Sequence, residues 1–289
     1  MVIPEAPDLD ELADACRQIA GSERLQAIHV EKDFQLTRLI WAIAQEFGET
    51  LLLKGGTCLS KVDYGFHRMS EDADFVYPRD LVPSGRDREV KFMMPLLRRF
   101  RKLTTAVGFH MIDEKKLLDR VRLEANFRVE YPSRLEPNER GSILVEIGVR
   151  PVLCPPRRAP LRQLLSGALA SPYHEAFCWA LSAVEVRAEK VRAAFTREEI
   201  RDFYDLQLFI EKDSDLRSET FRLLVDAKLD ELGSPPLRRQ HSNFGKSGRQ
   251  IKDLIGTINT RLSVVRADDA GFALEPVLTH FNELWELRT

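Results

Sequence analysis

Several groups of residues in this chain have the types and spacing to do chemistry on phosphates. The first is Gly55-Gly56-Thr57, which ends the apolar run Leu51-Leu52-Leu53 and opens a helix-like stretch. Glycine there lets backbone N–H groups and a helix N-terminus approach phosphate oxygens, and the threonine adds a hydroxyl. A Gly-Gly after a strand also serves as a plain tight turn, and this one has neither the P-loop spacing nor a GxGxxG pattern. The second group is Asp72-Ala73-Asp74, followed at once by Phe75-Val76-Tyr77. Side chains two apart in a strand share a face, so the two carboxylates converge. A carboxylate pair beside a glycine turn is a way to hold Mg²⁺ against a nucleoside triphosphate. Asp-x-Asp pairs are more often solvated turn residues; the apolar residues that follow argue for a strand here.

Glu146 is the one charge in the apolar stretch Ile143 to Val149. A buried carboxylate with no partner is costly or shifts its pKa. Glu146 therefore needs either a nearby metal or a cation such as Arg150 or Arg122. A later cluster joins Glu189-Lys190-Val191-Arg192 to Arg201-Asp202-Phe203-Tyr204-Asp205-Leu206. Lys190 and Arg201 have the charge to neutralise phosphate, and Asp202 to orient a cation. The alternative is a solvated helix face with i,i+4 pairs.

The elements that must position these residues follow from periodicity. Residues 8–47 read as helical, with Leu36, Leu39, Ile40 and Ile43 at helical spacing and Gly48 as a C-cap. A strand is expected at Leu51 to Lys54, a helix from about Thr57 to Tyr64, and a strand at Asp72 to Tyr77 ended by Pro78. A helix from about Val90 to Val107 carries Arg98, Arg99, Arg101 and Lys102. Strands are expected at Leu123 to Glu130 and Ile143 to Val149. In the latter, Ile143, Val145, Ile147 and Val149 face one side and Leu144, Glu146 and Gly148 the other. Residues 160–231 read as successive helices without a convincing strand, and two more helices are expected over 248–265 and 272–287. The expected division is an α/β part over 1–155 and a helical part over 156–289, with no internal repeat.

The chain has 289 residues, 44% hydrophobic and 30% charged, with a net charge of −2. Composition therefore gives no global basic signature for nucleic acid. A local basic groove stays open: the Arg98–Lys102 cluster and Arg238, Arg239, Gln240, His241, Lys246 and Arg249 favour an RNA acceptor, or else are solvated charges. The acidic N-terminal stretch has no basic n-region or apolar core of a signal peptide. No apolar run approaches the ~18 residues that span a bilayer. Cys16, Cys58, Cys154 and Cys178 lie far apart without metal-ligand spacing. A cytoplasmic protein with reduced, packing cysteines is expected.

Taken together, Leu53-Lys54-Gly55-Gly56-Thr57, Arg68-Met69-Ser70-Glu71-Asp72-Ala73-Asp74-Phe75, Glu189-Lys190 and Arg201-Asp202-Phe203-Tyr204-Asp205-Leu206 resemble the AbiEii/MenT nucleotidyltransferase toxins of the DNA polymerase β-like superfamily. Glu31-Lys32-Asp33-Phe34 resembles the opening segment of that family. The resemblance runs from about residue 28 to 210. It implies an α+β fold: a mixed-sheet nucleotidyltransferase core with flanking helices, followed by a C-terminal helical bundle. It implies a Mg²⁺-dependent enzyme that transfers NMP from NTP to an RNA 3′ hydroxyl, above all the tRNA acceptor end, and so blocks translation. It also implies a cognate antitoxin, in a toxin–antitoxin or abortive-infection system. Asp72, Asp74 and Glu146 would be the metal ligands. Lys54, Gly55, Gly56, Thr57, Ser70, Lys190 and Arg201 would bind the NTP. Lys190 and Asp202 would join the carboxylates as catalytic groups. Glu146 stands where such enzymes commonly use Asp. Two other functions remain: transfer to a protein hydroxyl or small molecule, and a non-enzymatic binding module, which would need a broken metal site.

Overall fold

The computed structural model describes residues 4, 7–112, 118–119, 123–136, 140–167, 169–197, 199–213, 215–231 and 274–286. The chain divides into two compact units, Met1–Ser182 and Ala183–Thr289.

The first unit begins with helix α1, Leu9–Glu23, whose first amides at Asp10 and Glu11 are capped by the Asp8 carboxylate at 3.0 Å. Arg24 ends it in the left-handed conformation (φ 54°, ψ 42°), so the helical stretch 8–47 is divided into two helices. Helix α2, Ala27–Phe47, follows and is capped by Gly48. Then come β1 (Leu52–Leu53) and α3 (Gly55–Cys58), which runs on as a wider π-type turn over Leu59–Asp63. Next are β2 (Asp72–Pro78), α4 (Arg86–Ala106), β3 (His110–Ile112), β4 (Leu118–Asp119), β5 (Glu124–Tyr131) and β6 (Gly141–Arg150). The unit closes with β7 (Arg157–Pro160) and β8 (Phe177–Ala180).

These strands make one mixed eight-stranded sheet in the order β3-β5-β6-β2-β1-β8-β7, with β4 paired to β5. β2 runs parallel to β6 and β1 parallel to β8; the other pairings are antiparallel. The sheet has two unlike faces because its strands alternate. Ala73 and Phe75, Val145 and Ile147, and Ala125, Phe127 and Val129 are buried on one face. Helices α2 and α4 cover it: Phe100 of α4 meets Phe127 edge-on at 5.1 Å and stacks with Phe47 of α2 at 6.2 Å. Each such buried ring contributes roughly 1.5–3 kcal/mol. The opposite face carries Asp72, Asp74, Leu144, Glu146, Asn126 and Arg128, all half-buried or exposed.

Two strands fall where helices were expected. β8 pairs in parallel with β1, Leu53 opposite Ala180, and β7 pairs with β8. Residues 156–182 thus complete the sheet, and the helical part begins at Ala183 rather than near 155. A four-residue buried strand has no period to distinguish it from a piece of apolar helix.

The second unit holds α5 (Ala183–Thr196), α6 (Ile200–Lys212), α7 (Glu219–Asp230) and α8 (Leu274–Glu286). α5 packs on α6 and α7, and α6 on α8. Lys228 of α7 is buried among Glu185 (2.6 Å), Glu231 (3.0 Å) and Glu189 (3.6 Å), which ties α7 to α5. The expected helix over 248–265 and the basic loop from Arg238 to Arg249 lie outside the described residues. Among the described residues, no helix is long and apolar enough to cross a membrane. All four cysteines are free.

Candidate active site

The glycine turn is built against β2. The Lys54 amide donates to the Asp74 carbonyl at 2.9 Å, extending the β1–β2 ladder by one residue into the turn. Gly55 then adopts φ +69°, and a Cβ there would stand 2.5 Å from Asp74 Oδ2. A Cβ on Gly56 would run into the Arg68 guanidinium and stand 3.1 Å from Ser70 Oγ. Both glycines are therefore required by close approach, the first by a carboxylate and the second by a buried arginine. Thr57 is buried; its Oγ1 hydrogen-bonds Ser70 Oγ at 2.8 Å and the Asp72 backbone carbonyl. Gly55, Gly56, Thr57, Ser70, Asp72 and Asp74 thus form one contiguous group.

The strand register places a polar row across the open face. Asp74 is opposite Glu146, and Glu146 is opposite Asn126. Lys54 begins the row, and its Nζ reaches Glu146 Oε1 at 2.8 Å. The cation that Glu146 requires is therefore Lys54. Arg150 is engaged instead by Glu124 at 2.7 Å, and Arg122 lies outside the described residues. Lys54, expected to bind NTP, links β1 to β6 across the strand that holds both aspartates.

Among the described residues, no three His, Cys, Asp or Glu side chains are gathered to hold a metal ion. Glu146, the third expected ligand, is paired with Lys54. What the structure offers is the pair of hard oxygen ligands at Asp72 and Asp74. That pair fits Mg²⁺, which takes one or two carboxylates and completes its shell with water and substrate phosphate.

Arg68 and Glu71 are the neighbours that sequence reasoning assigned no role, though both lie within the quoted motif. Arg68 is buried and donates to the Met69 carbonyl at 3.0 Å. Glu71 is held by His29 at 3.3 Å and Lys32 at 2.9 Å. The His29 hydrogen bond, opposed by burial and aided by Lys32, lowers its carboxyl to about 2.

The remaining expected residues lie in the second unit. Lys190 Nζ sits 2.7 Å from Asp202 Oδ1 and 3.0 Å from Asp205 Oδ2, with both carboxylates fully buried. Arg197 Nε reaches Asp202 Oδ2 at 2.6 Å. Burial alone would raise the Asp202 carboxyl, but Lys190 and Arg197 hold it below its ordinary value. Lys190 and Asp202 therefore belong to a buried ion cluster, not a solvated helix face. Arg201 is exposed on α6.

The Arg98–Lys102 cluster of basic side chains is exposed. It lies on α4, which covers the apolar face of the sheet, away from Asp72 and Asp74. Arg99 there pairs with Glu46 at 2.5 Å and lies 4.7 Å over the Phe47 ring.

Comparison with known proteins agrees with this architecture. The structure is similar to MenT4, a nucleotidyltransferase toxin from Mycobacterium tuberculosis H37Rv, with a TM-score of 0.58, 19% identity, and 96% of this chain and 97% of that chain covered. At that identity the likeness shows the fold. No curated protein matches the sequence. Residues 38–268 match the family described as nucleotidyl transferase AbiEii toxin, type IV TA system. That stretch takes in the glycine turn, both aspartates, Glu146 and the Lys190 cluster, and the chain belongs to the AbiEii family of nucleotidyltransferase toxins.

Proposed function

We propose that this chain transfers a nucleoside monophosphate from an NTP to the 3′ hydroxyl of an RNA, the tRNA acceptor end, and thereby blocks translation until a cognate antitoxin intervenes. The observation that carries this reading is the packing of Gly55 directly on the Asp74 carboxylate. It sets the glycine turn and the carboxylate pair side by side. Nucleotidyl transfer is an in-line attack on the α-phosphate in which the protein chiefly positions groups and neutralises charge. Asp72 and Asp74 would hold Mg²⁺, which when bound supplies charge neutralisation at the phosphates. Gly55, Gly56 and Thr57 would cradle the triphosphate with backbone N–H groups, while the Thr57 hydroxyl, hydrogen-bonded to Ser70 and the Asp72 carbonyl, ties the turn to the start of β2. Lys54 holds Glu146, which lies opposite Asp74, and that carboxylate would accept the proton of the attacking hydroxyl.

The test is incubation of the protein with total RNA and each labelled NTP in turn, with Asp72→Ala as control. Label on tRNA that requires Asp72 is the expected result; no label on any RNA overturns the RNA acceptor. The exposure of Arg98, Arg101 and Lys102 on α4, on the other side of the sheet from Asp72 and Asp74, favours a second reading, a protein hydroxyl or small molecule as acceptor. Label on those fractions of the same lysate would establish it. Expression without an antitoxin should arrest bacterial growth in an Asp72-dependent way.

A further inference from the structure

The segment Glu31-Lys32-Asp33 has no place in the chemistry above, yet it lies on one turn of α2 and reaches both ends of the active-site segment. Lys32 Nζ is 2.9 Å from Glu71 Oε2, and His29 Nδ1, one turn earlier, is 3.3 Å from Glu71 Oε1. Both oxygens of Glu71 are thus engaged by α2. Glu71 stands between Ser70 and Asp72. Next along α2, Asp33 pairs through Oδ1 with Lys61 Nζ and accepts the Leu164 amide on Oδ2 at 2.9 Å. Lys61 also donates to the Asp33 carbonyl at 3.2 Å. Asp33 and Lys61 side chains are each 2% exposed. Lys61 is one helical turn beyond Thr57.

Between these two anchors, residues 64–71 have no regular hydrogen-bonded structure. Fixing such a residue costs roughly 1–2 kcal/mol of backbone entropy. Ser70 and Glu71 precede the first ladder residue of β2, where a strand end has least to hold it. Strand alternation settles what the Glu71 contact does. Glu71 has the parity of Ala73 and Phe75 and points toward α2, so Asp72 is turned to the open face. A free strand end can roll; one whose neighbour is gripped by two side chains from α2 cannot.

We propose that Glu71, held by Lys32 and His29, is a positioning residue for nucleotidyl transfer, and that the Asp33–Lys61 pair anchors the Thr57 end of the same segment. The proposal rests on the transferase reading of the Asp72 site. α2 therefore does more than cover the sheet: its polar turn presents Thr57, Ser70 and Asp72 as a unit.

The experiment compares wild type with Glu71→Gln, Lys32→Met, Lys32→Arg and the Lys32→Met/Glu71→Gln double variant. Transfer of labelled NTP, thermal melting and amide hydrogen exchange at residues 70–74 are measured for each. Glu71→Gln and Lys32→Met should each lower kcat about 10- to 100-fold, since misplacement by ~1 Å costs about that much. The double variant should fall no further than the worse single one, and Lys32→Arg should recover most of the loss. Exchange at Asp72–Asp74 should quicken while exchange in β6 stays unchanged. Wild-type kcat and unchanged exchange in Glu71→Gln would overturn the proposal. So would a loss that simply follows a lowered Tm and is not rescued by Lys32→Arg. If wild type itself transfers nothing, the transferase reading fails, and the exchange measurement still decides whether the clamp orders Asp72.

Discussion

Gly55→Ala tests the close packing on which the active-site reading depends. Two costs follow from the geometry. Alanine at φ +69° occupies the left-handed region, at about 1–2 kcal/mol. Its Cβ would also stand 2.5 Å from Asp74 Oδ2, against about 3.4 Å for ordinary contact. The Asp74 carboxylate is the movable partner, so it should swing aside by about 1 Å rather than the backbone giving way. A displacement of that size costs about 10²-fold in rate, or about 2.7 kcal/mol of transition-state stabilisation. The Tm should fall by only a few degrees, as expected for about 1–2 kcal/mol in a domain of this size. The control is Gly108→Ala. Gly108 has φ +83° with nothing within 4 Å of an added Cβ, so it carries comparable backbone strain without the collision. Labelled-NTP transfer and thermal melts of both variants give the answer. Loss of transfer in Gly55→Ala alone, with similar Tm shifts in both, is expected. Wild-type transfer by Gly55→Ala, or equal loss in Gly108→Ala, would refute the reasoning.

Asp72→Ala and Asp74→Ala should each lower transfer by at least ~10³ with the fold retained, because they remove hard oxygen ligands from the open face; wild-type labelling by either purified variant would contradict the assignment. Lys190→Ala leaves Asp202 and Asp205 buried without their shared ammonium, and should cost roughly 3–5 kcal/mol by denaturant melts. Adding Asp205→Asn should restore part of that stability but not transfer; if transfer returns with stability, Lys190 is structural only. The Asp202 carboxyl is depressed in the folded state, so its contribution is complete above the unfolded carboxylate range, near pH 4, and is lost as pH falls through the folded value. Urea melts at pH 7 and pH 3 should therefore show a shallower acid loss for Asp202→Asn than for wild type. Ser70→Glu should transfer less than Ser70→Ala, since Ser70 Oγ lies 2.8 Å from Thr57 Oγ1 and a charge there repels the triphosphate; equal activity would deny Ser70 that position.

What shares a face was legible in the sequence, because it depends only on local period. Asp72 and Asp74 are two apart on a strand, Ile143 to Val149 alternate, and Gly55-Gly56 marks a backbone approach that larger residues do not allow. These features depend on residues a few positions apart and need no knowledge of the rest of the chain. The resemblance in the four quoted motifs supplied the fold and the family. What depends on sheet order was not legible. β8 joins β1 although it has only four residues, and only the neighbouring strand makes it a strand. Lys54 and Glu146 are 92 residues apart; their pairing required β2 to lie between β1 and β6. The basic residues of α4 took the far face because Phe100 and its neighbours had to cover Phe127. Lys190 and Asp202, each taken singly, read more readily as solvent-facing charges until the packing of α5 and α6 buried them together. In each case the local geometry was set by residues a few positions apart, with no long loop to close. Which distant residue came to complete it was decided by the burial of apolar surface, a property of the whole tertiary structure.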